Sequence, residues 1–155
     1  MESAIVITFI AILIVIGLVI MFKSGQGHST APRPDLRADL EAARDKDIDI
    51  DYRQAYNLAG VNKRGLDPLW NCGSFHGYVV RDVNNQYDRH AIAVFAGTKQ
   101  HVGFIPAEVA KKISKKLDVL GGQCPCVMEI RRAVEEGTNR GYFVGCVQIL
   151  WPDTE

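Results

Sequence analysis

Short segments with alternating apolar and polar residues dominate the chain from residue 48 onwards, and they constrain its fold more than any other feature. Side chains on a β-strand alternate between two faces, so this pattern predicts strands buried on one face. Residues that favour turns separate the segments. The predicted strands are 48–53, 77–83, 91–95, 101–105, 126–133 and 142–150. Six such strands indicate a small barrel or a rolled sheet.

One amphipathic helix interrupts the predicted strands. Pro106 suits the first helical position, where a backbone N–H would have no acceptor within the helix, so that its absence costs nothing. Gly121 and Gly122 are typical of a helix end. Between them the apolar face is formed by Val109, Ala110, Ile113 and Leu117, and the opposite face by Lys111, Lys112, Lys115 and Lys116. The lysine face is expected to be solvated, with phosphate or anionic lipid as the alternatives.

The N-terminal segment is a separate object, because residues 4–22 are apolar apart from Thr8 and Gly17. As a helix this run would be roughly 28 Å long, close to the hydrocarbon thickness of a bilayer. The alternative is a cleaved signal peptide, but no Lys or Arg precedes the run. The nearest small-residue cleavage site is distant, at residues 29–31. The run therefore predicts a single transmembrane anchor.

The charges that flank the apolar run predict its orientation. None precedes it, whereas Lys23, Arg33 and Arg37 follow it. The positive-inside rule then places the globular part in the cytoplasm of a single-pass membrane protein, with an extracytoplasmic domain as the alternative. Four cysteines are too few for a disulfide scaffold, and reduced thiols suit that compartment.

The chain is accordingly divided into four parts. Residues 1–22 are the predicted anchor, and 23–47 are a flexible linker with a short marginal helix as the alternative for its charged second half. Residues 48–151 form the predicted β domain, and 152–155 are a tail.

Charge and motifs argue against several classes of function. Lys plus Arg and Asp plus Glu both number 18, so nucleic acid would have to bind through a local patch. No nucleophile elbow, phosphate loop or metal-binding histidine pair is present, so the chain is expected not to be an enzyme and to have no small-molecule substrate. No cofactor is expected. The one metal alternative is zinc held by Cys124 and Cys126, although one intervening residue is fewer than zinc sites favour.

Two neighbouring motifs resemble the HIRAN domain family. The first is the Asn-x-Tyr-Asp turn and apolar strand within residues 84–94, and the second is Val-Gly-Phe-Ile-Pro at 102–106, which precedes the helix. Residues 59–61, Ala-Gly-Val, resemble an earlier step of the family, so the resemblance covers about 48–150. It implies a mainly β (α+β) fold, a six-stranded OB-like barrel with one inserted helix, to which the transmembrane helix is added.

The resemblance also implies a ligand and a site. HIRAN domains of DNA-remodelling helicases hold the 3′-hydroxyl end of single-stranded DNA. On the matching positions here, Tyr87 would stack on a base and Asp88 would accept the terminal hydroxyl, within the turn that Asn85 forms. Lys63 and Arg64 would meet phosphate. This chain lacks the arginine–aromatic pair that the DNA-binding members place near residue 62, so the second stacking surface is absent there.

The function expected from the sequence is therefore a membrane-tethered module that binds nucleic acid, specifically single-stranded DNA and its 3′ ends. The alternative is a non-catalytic adaptor in which the same groove binds a protein partner and localises it to the membrane. The common alternative for Tyr87 and Asp88 is an ordinary β-turn at the edge of the sheet.

Overall fold

A six-stranded antiparallel sheet organises residues 34–153, the part of the chain that the computed structural model describes. The strands are β1 (Tyr56–Asn57), β2 (Gly73–Arg81), β3 (Ile92–Ala96), β4 (Gln100–Phe104), β5 (Gln123–Val134) and β6 (Gly141–Ile149). The helices are α1 (Pro34–Ala43), a 3₁₀ turn (Val61–Lys63), α2 (Pro68–Asn71) and α3 (Ala107–Val119). The strands lie in the order β1-β6-β5-β2-β3-β4.

The two edges of this sheet meet just after β1. The main chain of Ala59 donates to the carbonyl of Phe104 at 2.8 Å and accepts from its N–H at 2.9 Å. Gly103 permits this approach, because a Cβ atom there would lie 2.8 Å from the Ala59 carbonyl oxygen. The curled sheet with few helices fits the OB-like β fold that the resemblance implies. The close approach of the two edges also explains the glycine of the Val-Gly-Phe motif.

Five of the six predicted strands are present, with ends that differ from the prediction by one to four residues. The prediction of a strand at 48–53 is wrong, because this stretch ends in a turn. Asp51 forms that turn: its carboxylate accepts from the backbone N–H of Arg53 at 3.0 Å, and its carbonyl accepts from Gln54 at 2.9 Å. Local side-chain bonds of this kind compete with sheet pairing, and the first strand is instead the short β1.

The inserted amphipathic helix is α3, between β4 and β5. Pro106 lies one residue before the helix rather than within it, as its N-cap. Ala110, Ser114 and Leu117 are the residues by which the helix is buried against the rest of the domain. The helix ends at two glycines of positive φ, where the N–H of Gly122 donates to the carbonyl of Leu117 at 2.9 Å.

The apolar core lies between the curled sheet, α1 and α3. Leu40 of α1 is 2% exposed and belongs to this core. α1 lies within residues 23–47, for which the sequence predicts a linker with a short helix as the alternative. Arg44, directly after α1, donates to the carbonyls of Trp70 at 2.7 Å and Cys72 at 2.6 Å. The largest fully buried side chains include Phe75, Ile92, Val94, Leu117, Met128 and Ile130.

The predicted transmembrane anchor, residues 4–22, lies outside the described residues, and so does the first part of the predicted linker. Within residues 34–153, no helix has the length and apolar character needed to cross a membrane.

Candidate functional site

Asn85 shapes the β2–β3 loop, residues 82–91, which carries the predicted turn. Its side-chain oxygen accepts from the backbone N–H groups of Tyr87 at 3.0 Å and Asp88 at 3.1 Å. Its side-chain amide donates to the carboxylate of Asp82 at 3.0 Å. Because one asparagine side chain satisfies two neighbouring N–H groups, the backbone on either side of Tyr87 has a defined path.

Tyr87 projects from this loop and is 90% exposed, the most exposed large apolar side chain in the described part of the chain. Nearly all of its ring is therefore open to solvent. Stacking on a base requires a ring that lies outside the core, and Tyr87 meets this requirement.

Asp88 has both a structural bond and a free acceptor. Its Oδ1 atom accepts from the backbone N–H of His90 at 2.8 Å, and its carbonyl accepts from Ala91 at 3.0 Å. Within residues 34–153, Oδ2 receives no hydrogen bond. The half-buried carboxylate thus holds its own loop and keeps one oxygen for a donor from outside.

Arg81, the last residue of β2, fastens the other side of the loop. Its guanidinium donates to the carbonyls of Ala91 at 2.8 Å and Arg89 at 3.1 Å, and to Oδ1 of Asp118 at 2.8 Å. Its side chain is only 9% exposed. The sequence reasoning missed this residue, although an arginine that follows Val79 and Val80 in a strand was a signal that it needed buried partners.

A second region surrounds Lys63, where a cleft of about 560 Å³ lies between the 3₁₀ turn and β6. Its lining includes Asn62, Lys63, Tyr142 and Phe143. Asn62 forms two bonds with the backbone of Phe143, accepting from its N–H at 2.6 Å and donating to its carbonyl at 3.1 Å. The sequence predicts no aromatic residue near Lys63, but the tertiary structure places Tyr142 and Phe143 of β6 in the lining of the same cleft. Neighbouring side chains of a strand point to opposite faces, and it is Phe143 that packs against the core while Tyr142 is exposed.

Arg64 lies against β4 instead of pointing freely into solvent. Its guanidinium carbon is 4.9 Å from the centre of the Phe104 ring, and Nη1 is 3.4 Å from Nδ1 of His101. Nε2 of His101 is 2.9 Å from the Gly103 carbonyl, so a neutral ring that donates from Nε2 and accepts at Nδ1 satisfies both neighbours. Burial, and then the charge of Arg64, lower the pKa of His101, which favours that neutral form.

The structure therefore brings some of the predicted residues together and leaves others apart. Asn85, Tyr87 and Asp88 share one braced loop. Lys63 lies in a cleft whose lining does not include Tyr87 or Asp88. Within residues 34–153, no hydrogen bond or ion pair joins the β2–β3 loop to Lys63 or Arg64.

The cysteines named as weak zinc ligands are both buried, and all four cysteines are free thiols. Burial raises the pKa of the Cys126 thiol well above its usual range, and the pKa of Cys124 is raised for the same reason. Within the described part of the chain, no group of three or more His, Cys, Asp or Glu residues is arranged to hold a metal ion.

The curled six-stranded sheet with its inserted helix fits an OB-like β fold. Residues 73–139, which run from the start of β2 to the β5–β6 turn, match the model of the HIRAN domain. The match spans less than half of the chain, includes the β2–β3 loop and supports both the resemblance and nucleic-acid binding as a general class of function. No curated protein and no solved structure matches the chain.

Proposed function

We propose that this protein is a non-enzymatic module that binds single-stranded DNA at its 3′ end through the β2–β3 loop. The observation that carries the proposal is the Tyr87 ring, 90% exposed on a loop whose backbone is fixed by Asn85 and Arg81. An aromatic ring on a braced loop loses little conformational freedom when a base stacks on it. Such stacking contributes about 1–3 kcal/mol per base and accepts any base.

Asp88 supports the preference for a free 3′ end. A carboxylate oxygen that lacks a donor accepts a hydrogen bond from a terminal hydroxyl, and bonds to charged groups are stronger than neutral ones. The same oxygen repels a terminal phosphate. Oδ2 of Asp88 is thus the group that we propose distinguishes a free end from a blocked one.

Lys63 is the proposed phosphate contact in the cleft that it lines together with Tyr142, whose exposed ring would act as an additional stacking surface. Arg64, which packs against β4, is proposed to assist Lys63 in binding phosphate. Because its guanidinium already packs on Phe104, its contribution is expected to be smaller than that of Lys63.

The test is fluorescence anisotropy of the full chain in detergent with labelled oligothymidylates that end in a 3′-hydroxyl or a 3′-phosphate. Tyr87→Ala should weaken binding about tenfold or more, as expected from the loss of one stacked base, whereas Tyr87→Phe should keep it. Tyr52→Ala is the matched control, since Tyr52 is a 60% exposed tyrosine outside the loop. Asp88→Asn should bring the affinities for the two ends closer together.

Two outcomes would overturn parts of this proposal. Equal affinity of the wild-type chain for free and phosphorylated ends would remove the end-binding version. No binding of either oligonucleotide at moderate salt would remove the nucleic-acid version, which would leave the adaptor that binds a protein partner.

We further propose that residues 4–22 anchor the chain in a membrane with its globular part in the cytoplasm. The support is the apolar sequence and the positive charges after it. Alkaline extraction of membranes should leave the full chain in the pellet, and protease added to intact cells should spare the globular part. Release into the supernatant, or digestion from outside, would contradict the anchor and the orientation respectively.

A further inference from the structure

The β2–β3 loop is attached to α3 directly by one side-chain bond and indirectly through Arg81, which bonds to both the loop and the helix. Nδ1 of His90 lies 3.1 Å from the hydroxyl of Ser114, and Arg81 pairs with Asp118 at 2.8 Å. Ser114 and Asp118 are four residues apart and therefore lie on one row of the helix. The loop that carries Tyr87 thus rests along this row.

Two of the four helix lysines lie next to that row. Lys111 is three residues before Ser114, and Lys115 is three residues before Asp118, so each is a helical neighbour of a loop contact. Both lysine side chains are exposed. The helix therefore presents two cations beside the loop, about one helical turn apart.

The other two lysines point elsewhere. Nζ of Lys116 lies 4.2 Å from the centre of the Trp151 ring, which is on another flank of α3. Lys112 is about 100° around the helix from Lys111 and further from the loop. The lysine face predicted from the sequence thus divides into a pair beside the loop and a pair away from it.

The charges on and near α3 determine whether the flank beside the loop can bind an anion. Asp118 is compensated by its ion pair with Arg81. Glu108, in the first turn of α3, is the other acidic side chain of the helix and is a helical neighbour of both Lys111 and Lys112, three and four residues on. Within residues 34–153, neither Lys111 nor Lys115 forms an ion pair, so both cations are available to an anionic ligand. The loop itself carries Asp82, Asp88 and Arg89.

We propose that Lys111 and Lys115 bind the sugar-phosphate backbone of a single strand whose terminal base stacks on Tyr87. This inference rests on the proposed function and adds a direction: the strand leaves the β2–β3 loop along the adjacent flank of α3. A groove that combines a stacking ring with spaced cations binds several nucleotides at once, within the range of about 4–16 nucleotides per OB fold. Adjacency to the stacking ring is the reason that we favour nucleic acid over a lipid surface.

The test compares a short oligothymidylate of about four nucleotides with one of about twelve, both with free 3′ ends. The full chain in detergent is assayed as wild type, as Lys111→Gln/Lys115→Gln and as Lys112→Gln/Lys116→Gln, which removes the same charge from the same helix. Circular dichroism checks that all three keep their helix and sheet content. Tyr87→Ala is measured in parallel with both oligonucleotides.

The Lys111/Lys115 variant should bind the long oligonucleotide about tenfold more weakly while binding the short one within about twofold of the wild type. For this variant, the slope of log affinity against log salt concentration should be shallower by about 1.4. This corresponds to about 0.7 for each single-strand phosphate that is no longer neutralised. The Lys112/Lys116 variant should change both quantities much less. Tyr87→Ala should weaken the binding of both oligonucleotides.

The inference fails, with the proposed function intact, if Tyr87→Ala weakens both oligonucleotides and the two lysine variants behave alike or leave the long one unaffected. If the wild type binds neither oligonucleotide, the proposed function fails as well. Retention on phosphatidylserine beads that depends on Lys111 and Lys115, without an effect on the long oligonucleotide, would identify a lipid-binding face and overturn the inference.

Discussion

Arg81 and Asp118 form a 2.8 Å ion pair that fastens the end of β2 to the last turns of α3. The same guanidinium donates to two carbonyls of the β2–β3 loop, at Arg89 and Ala91. One nearly buried side chain therefore joins strand, helix and loop. We therefore expect the position of Tyr87 to depend on this arginine, which lies six residues earlier in the chain.

Arg81→Gln should loosen the loop and destabilise the protein. The variant loses most of three charge-assisted bonds and leaves loop carbonyls without a donor, so we expect the free energy of unfolding to fall by about 2–3 kcal/mol. Affinity for single-stranded DNA should fall too, because the ring of Tyr87 would no longer be held in place. Urea denaturation and hydrogen exchange of residues 82–91 measure the two effects. Asp118→Asn keeps both carbonyl bonds and should cost clearly less; an equal loss would contradict this account.

Asn85→Ala should destabilise the turn around Tyr87. The substitution removes the acceptor of two backbone N–H groups, and losses of local caps of this kind cost about 1 kcal/mol. In an Asp82→Asn background, Asn85→Asp keeps an acceptor oxygen in the same place without setting two carboxylates against each other, and it is the matched control when Asn85→Ala is made in the same background. Chemical denaturation of both variants distinguishes them, and a destabilised Asp variant with an unaffected Ala variant would show that the oxygen is not what matters.

Gly77→Ala should be among the most damaging single substitutions in the sheet. A Cβ atom at this position would collide with the carbonyl oxygen of Phe95 on β3 and lie 2.7 Å from Cε of Met128. Backbone cannot move aside as a flexible side chain can, so we expect a loss of about 3 kcal/mol or more.

Gly65→Ala is the control for Gly77→Ala. Gly65 has φ +63°, but nothing lies within 4 Å of a Cβ there. Only backbone strain of about 1–2 kcal/mol is expected. Thermal unfolding compares the two variants, and a smaller shift in Tm for Gly77→Ala than for Gly65→Ala would show that the sheet adapts.

His101 should make the protein less stable as pH falls through about 6.5, the pKa of an unperturbed histidine. Burial and Arg64 lower the pKa of His101 in the folded state, so the unfolded chain takes up a proton before the folded one does. The contribution of His101 is therefore fully present above about pH 6.5 and is lost progressively below it.

The measurement is urea denaturation at about pH 7.5 and about pH 5.5, on either side of the unperturbed histidine pKa. His101→Gln keeps a side-chain donor for Gly103 but does not titrate, so the drop in unfolding free energy between the two pH values should be smaller than in the wild type. An identical drop in both proteins would assign the pH dependence to other groups.

Periodicity in the sequence was enough to predict five of the strands and the inserted helix. Alternation along β2 places Phe75, Gly77 and Val79 in the core, and the 3.6-residue period of α3 does the same for Ala110 and Leu117. Such patterns work because a strand or helix buries one face whatever its neighbours are. The pattern at 48–53 misled because the carboxylate of Asp51 bonds to its own local backbone and forms a turn.

Some residues of the candidate site could be predicted from the sequence, and others could not. Asn85, Tyr87 and Asp88 are close together in the chain, and asparagine bonds with the next residues of a turn, so their arrangement is local and readable. The side chains that hold the loop and the cleft in place bond to distant parts of the chain. Arg81 reaches Asp118 over 37 residues, and Asn62 reaches Phe143 over 81.

The amino-acid order was sufficient to establish that a tyrosine and an aspartate share a turn after an apolar strand, that most of the strands form and that one lysine-rich helix follows them. Folding in three dimensions was needed to establish that Arg81 braces this turn on α3, that Lys63 lines a cleft with aromatic residues of β6 and that His90 of the loop contacts Ser114 of α3. The physical reason is that local bonds and burial periodicity act within a few residues of chain. Ion pairs and clefts form only when the curled sheet brings distant segments together.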